Sequence, residues 1–136
     1  MVENTEATAL ILMAPIDEKT RKQIVERVLA AREQRPQHLA KMKERQQQGL
    51  EVARKCAVTL KEEFGAARVV LFGSLLDPER MTWRSDIDLA VWGLPEADFF
   101  KAGAAIEYGH DWMIDLVEIQ HALPHILKAI EDGMEL

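Results

Sequence analysis

The sequence predicts an α/β (α+β) chain: a helical extension followed by a compact unit in which short strands alternate with helices. Three observations predict it. Residues 1–64 are rich in Lys, Arg, Glu and Gln, with apolar residues recurring at helical spacing. Residues 65–136 change texture to short apolar runs punctuated by Gly and Pro, the rhythm of strands and helices in alternation. One of those runs, Ser85-Asp86-Ile87-Asp88-Leu89, carries two acids on one side of an extended chain, where packing alone has no use for them.

Taken in order, Asp17 is placed to cap a helix in which Ile24, Val25, Val28 and Leu29 form an apolar stripe. Pro36 is expected to interrupt it. A second helix follows, with Leu50, Ala53, Ala57, Leu60 and Phe64 at steps of three and four and Gly65 as its C-terminal cap. Lys41 to Gln48 is almost wholly polar and reads as a solvated face. Arg68 to Phe72 reads as a buried strand ending at Gly73, and Asp86 to Trp92 as a second. Pro95 suits the first turn of a helix running to about Tyr108 and ended by Gly109. Trp112 to Ile119 is the third strand, and Leu123 to Glu131 the last helix.

A chain of 136 residues, 48% hydrophobic and 29% charged, has the make-up of an ordinary globular domain. Its net charge of −6 argues against direct nucleic-acid binding, which needs Lys and Arg to neutralise phosphates. A basic partner or a metal–nucleotide ligand suits it better. Cys56 is the only cysteine, and it falls among helical apolar positions as an inert core thiol. No run approaches the ~18 apolar residues of a membrane span. The short run Ala9 to Ala14 follows Glu3 and Glu6, not a basic region, so no signal peptide is expected and the location is expected to be cytoplasmic. His121 and His125 are four apart, but Pro124 lies between them, so they and His110 read as exposed or locally bonded.

The chemistry-bearing residues lie between Leu71 and Leu116. Gly73-Ser74 closes a strand and opens a turn expected to lead into a helix, where backbone N–H groups and a hydroxyl can meet phosphate oxygens. Asp86 and Asp88 start roughly 7 Å apart on one face of a strand and repel by about 2 kcal/mol at an intermediate dielectric. Asp115 interrupts the third strand between Ile114 and Leu116. If the two strands are neighbours, the three carboxylates converge on an oxygen-only site suited to Mg²⁺ with substrate phosphates. Singly, each acid has a plain structural reading: Asp86 capping a strand, Asp88 pairing with Arg84 or Arg80. Trp83 reads as packing over the motif loop, with stacking on a base as the alternative. Trp92 and Trp112 read as sheet-edge packing, and Tyr108 is a weak candidate for self-modification.

Gly73-Ser74, ten residues, then Ser85-Asp86-Ile87-Asp88-Leu89 resembles the signature of the polymerase-β-like nucleotidyltransferases, and the compactness resembles their minimal (MNT) branch. The resemblance covers about Ala66 to Ile119. It implies a nucleotidyltransferase palm, a small mixed sheet with helices on one side. It implies that Gly73 and Ser74, with Ser85, hold the nucleotide's phosphates, with Arg84 or Arg80 in place of the family's usual arginine contacts, a surface salt bridge being the alternative for either. Asp86, Asp88 and Asp115 would hold two Mg²⁺ ions, and Asp115 would help deprotonate the attacking hydroxyl. Leu75, Leu76, Asp77 and Pro78 depart from the basic, glycine-containing stretch common in minimal members. The N-terminal helices offer little lining for a small acceptor, so the acceptor is expected on another macromolecule. Minimal members commonly act as antitoxins of a HEPN ribonuclease toxin, and the resemblance implies transfer of AMP from ATP to a toxin tyrosine. Two other readings are an aminoglycoside-type small-molecule transferase and an antitoxin that blocks its toxin sterically with an idle site.

Overall fold

The computed structural model describes residues 16–136; the apolar run at 9–14 lies outside them. The chain divides between Gln37 and His38, earlier than the change of texture at 64. The reason is burial: Met42, Leu50, Ala53, Cys56, Ala57 and Leu60, all before residue 64, belong to the core that the sheet completes.

Helix α1 runs over Glu18–Glu62. Asp17 caps it as expected, its Oδ1 accepting from the Thr20 N–H at 2.6 Å while its carbonyl accepts from the Arg21 N–H. That bond holds the Asp17 carboxyl below its usual range. Pro36 does not end the helix; it lies inside it. Proline removes one N–H, so the carbonyl four residues back, on Arg32, loses its donor. Arg32 and Pro36 are exposed, and water can bond that carbonyl instead. At the far end Gly65 takes φ 73°, and the Ala66 N–H donates to the Leu60 carbonyl at 2.9 Å. No helix among the described residues is long and apolar enough to cross a membrane.

In residues 38–136 the strands are β1 (Arg68–Phe72), β2 (Ile87–Trp92), β3 (Ile114–Glu118) and β4 (Met134–Glu135), and the helices α2 (Phe99–Glu107) and α3 (Pro124–Glu131). The sheet is mixed, in the order β3-β2-β1-β4. β2 lies antiparallel to β1 and parallel to β3, while β4 pairs antiparallel to β1. The fold is thus α+β, as expected, with one strand more than the sequence pattern shows: two residues are too few to carry an alternation.

Alternation along the strands feeds two cores. Val69, Leu71, Ile87, Leu89 and Val91 face the larger one, with the α1 residues above and with Ala102 and Ile106 of α2. Val70, Phe72 and Ala90 face the other side, against Ile130, Ile126 and Ala129 of α3. Helices therefore cover both faces of the sheet, not one. The α3 sequence explains it: Ile126, Ala129 and Ile130 form a stripe that needs an apolar partner, and the second sheet face supplies one.

Candidate active site

The register assembles the acids. In the parallel pair Asp88 lies opposite Asp115, and in the antiparallel pair Phe72 lies opposite Asp88. Asp88 and Asp115 therefore share a sheet face at the end where β1 runs into Gly73. Asp86 sits just ahead of β2 and is exposed, as is Asp115, whereas Asp88 is half-buried. Burial, then the charge of Asp115, then that of Asp86, push the Asp88 carboxyl up to about 6. Both neighbouring acids thus act on Asp88, and no cation of the described residues offsets them. Among those residues the only Lys or Arg ion pair is Arg68–Glu135, so neither Arg84 nor Arg80 neutralises Asp88.

Gly73 is the other half of the site. Its φ of 86° and ψ of −161° lie where side-chain-bearing residues are strained. A Cβ on it would collide with Asp88 Oδ2, so the carboxylate lies directly over the glycine backbone. Two constraints, one conformational and one steric, require glycine here. The chain then makes a single 3₁₀ turn, Ser74–Leu76, in place of the longer helix expected. Phosphate recognition at this bend would rest on close backbone approach and not on a helix dipole.

Ser74 and Ser85 meet: the Ser74 hydroxyl donates to Ser85 Oγ at 3.2 Å, and Ser85 Oγ also accepts from the Thr82 N–H at 2.9 Å. Ser85 is 9% exposed and braces the loop between turn and acids. Arg84 is exposed, with its N–H donating to Thr82 Oγ1.

Helix α1 holds the turn from below, which the sequence reading of Lys41 to Gln48 as solvated did not foresee. Met42 is buried, and Gln46 Nε2 donates to the Leu75 carbonyl at 2.9 Å. Gly49 lets the helix approach, since a Cβ there would come within 2.7 Å of Leu75 Cδ1 and 3.0 Å of Trp112. Arg45 lies with Cζ 4.1 Å from the Trp112 ring centroid, and its buried Nε has no hydrogen-bond partner. The signal was present: Met42, Gln46, Gly49 and Ala53 continue the three-and-four spacing of Ala57 and Leu60 backwards through the polar run.

No group of three or more His, Cys, Asp or Glu side chains among the described residues is gathered closely enough to hold a metal ion alone. The donor chemistry nevertheless fits Mg²⁺, which takes one or two carboxylates and completes its shell with water and phosphate oxygens.

The histidines stay outside this chemistry. His110 accepts from the Trp112 N–H at Nδ1 and bonds the Ile106 carbonyl through Nε2, which fixes it as a local brace. Cys56 is buried, its thiol pushed up to about 11 by desolvation, so it is the inert core thiol expected. Comparisons with protein-family models, with curated proteins and with solved structures return no match.

Proposed function

We propose that the chain is a magnesium-dependent nucleotidyltransferase of the minimal polymerase-β-like kind, cytoplasmic, and the antitoxin of a HEPN ribonuclease toxin. Its reaction is transfer of AMP from ATP to a tyrosine hydroxyl of that toxin. The observation that carries the reading is the parallel register of Asp88 with Asp115 beside Gly73, whose backbone lies under the Asp88 carboxylate.

In this reading Gly73 and Ser74 seat the triphosphate where a side chain would block it. Asp86 and Asp88 hold the cation side of the site, and Asp115 accepts the proton of the attacking hydroxyl. The tyrosine oxygen forms a bond to the α-phosphorus, the bond to the β-phosphate oxygen breaks, and pyrophosphate leaves. Asp86, Asp88 and Asp115 would hold magnesium, which would supply positive charge to offset that of the triphosphate. The net charge of −6 suits a basic RNA-cutting partner, and the half-exposed stripe Ile24, Val25, Val28 and Leu29 offers a surface to grip it.

Incubating the protein with a candidate HEPN partner, ATP and Mg²⁺, then weighing the partner, tests the transfer. A gain of one or more AMP units is expected; no gain removes the claim. Asp86→Asn and Asp88→Asn should each slow transfer by ~10³-fold or more, a loss of several kcal/mol of transition-state stabilisation. A loss under tenfold sends the chemistry elsewhere. Neutralisation of the toxin that survives both substitutions would indicate steric blocking. Transfer to an aminoglycoside without any protein partner would indicate the small-molecule enzyme.

A further inference from the structure

We propose that Trp83 is the platform on which the base of the nucleoside triphosphate stacks. This deepens the nucleotidyl-transfer reading above and rests on it. Trp83 sits on the connection between the Gly73-Ser74 turn and Asp86, and it does not pack over that loop: it is 59% exposed. An indole left so open on a loose loop would signify little. This loop is not loose. The Glu79 N–H donates to Asp77 Oδ1 at 3.0 Å, the Thr82 N–H to Ser85 Oγ at 2.9 Å, and the Arg84 N–H to Thr82 Oγ1 at 3.1 Å, while Met81 is buried in the core.

The tryptophan is also anchored from α1. Arg45 Nη2 donates to the Trp83 carbonyl at 3.3 Å, and Arg45 Cζ lies 5.7 Å from the Trp83 ring centroid. Arg45 is fixed in turn by Trp112. Aromatic side chains bind well when little freedom remains to be lost, and here the backbone on both sides is already committed. The connection to the phosphate turn is short. Ser85, two residues after Trp83, is hydrogen-bonded to Ser74 at 3.2 Å. A triphosphate seated on Gly73 and Ser74 would thus lie one serine contact away from the loop that carries the exposed Trp83 indole. The other two tryptophans are less open: Trp112, with Arg45 at 4.1 Å, and Trp92, with Arg68 at 4.3 Å, are both partly buried, whereas Trp83 is exposed. Every base has a π-face, so this contact supplies affinity without choosing adenine over guanine.

The test is titration of the full chain with Mg–ATP and, separately, with Mg–tripolyphosphate, which has the phosphates and no base. Trp83→Ala should weaken ATP binding by about tenfold to a hundredfold, the usual effect of removing a base–aromatic stack. It should leave tripolyphosphate binding within about twofold, and GTP should lose a factor similar to ATP. Trp83→Phe should recover most of the ATP affinity. Equal losses for ATP and tripolyphosphate would make Trp83 a structural brace and overturn the inference, as would ATP binding unchanged by Trp83→Ala. Failure of the unaltered chain to bind either ligand would remove the nucleotide site itself, and this inference with it.

Discussion

Asp88 sits where burial and two neighbouring carboxylates all oppose its charge. Its pKa is about 6 in the folded chain against 3.8 as the ordinary value, so the sign of the pH effect follows directly. Between those values the folded state keeps a proton that the unfolded state has lost, and stability falls as pH rises through the window. Above pH 6 the full cost of the ionised carboxylate is present. Asp88→Asn removes that cost: the variant should melt at a higher temperature than its parent at pH 7.5, with the gap closing below about pH 4. Thermal unfolding over a pH series checks this, and parallel curves would show that the site carries no such penalty. Gly73→Ala has the opposite sign. Forcing a Cβ into a backbone region reserved for glycine costs on the order of 1–3 kcal/mol, and the collision with Asp88 Oδ2 adds to it. A lower melting temperature together with lost nucleotide binding is the expected pair of readouts.

Among the elements, α1 does two jobs with one set of residues. Its stretch from Met42 to Leu60 builds the larger core, and Gln46 and Gly49 in that stretch support the turn that carries Gly73 and Ser74. Leu60 is fully buried, so Leu60→Ala should cost about 2–5 kcal/mol in denaturant unfolding, the usual range for a truncated core leucine. Pro36 marks the other regime of the same helix. With no core around it, Pro36→Ala restores a backbone donor at an exposed turn, and proline costs roughly 3 kcal/mol relative to alanine inside a helix. Amide exchange around Arg32 to His38 should slow while the global transition stays where it was. A shift of the global transition instead would mean that this turn is part of the cooperative unit.

Across the chain, burial separates the two units of the described residues. Every buried apolar side chain among the described residues belongs to 38–136. A chain beginning at His38 should therefore keep a cooperative unfolding transition and, under the proposed nucleotidyltransferase function, nucleotide binding. If the stripe at Ile24 to Leu29 grips the partner, that truncated chain should lose partner binding by an order of magnitude or more. Unchanged affinity would place the interface on 38–136. The acidic balance of the chain predicts in addition that complex formation with a basic partner weakens and slows as salt rises, read as an association rate against ionic strength.

The sequence by itself determined the class of the fold and the chemistry on offer. Strand alternation placed Ile87, Leu89 and Val91 in a core, and the Gly-Ser turn with its spaced acids was legible because those residue types have no cheap structural use in that pattern. Only the tertiary structure decided that β3 lies parallel to β2 in the register that sets Asp115 opposite Asp88. It also decided that α3 covers the second sheet face, that Pro36 leaves its helix unbroken, and that Arg45, Gln46 and Gly49 support the turn. The physical reason is one of range. Periodicity and turn preference act over a few residues, whereas strand order, register and helix docking are set by burial between segments far apart in the chain, as Asp88 and Asp115 are, which a linear pattern does not encode.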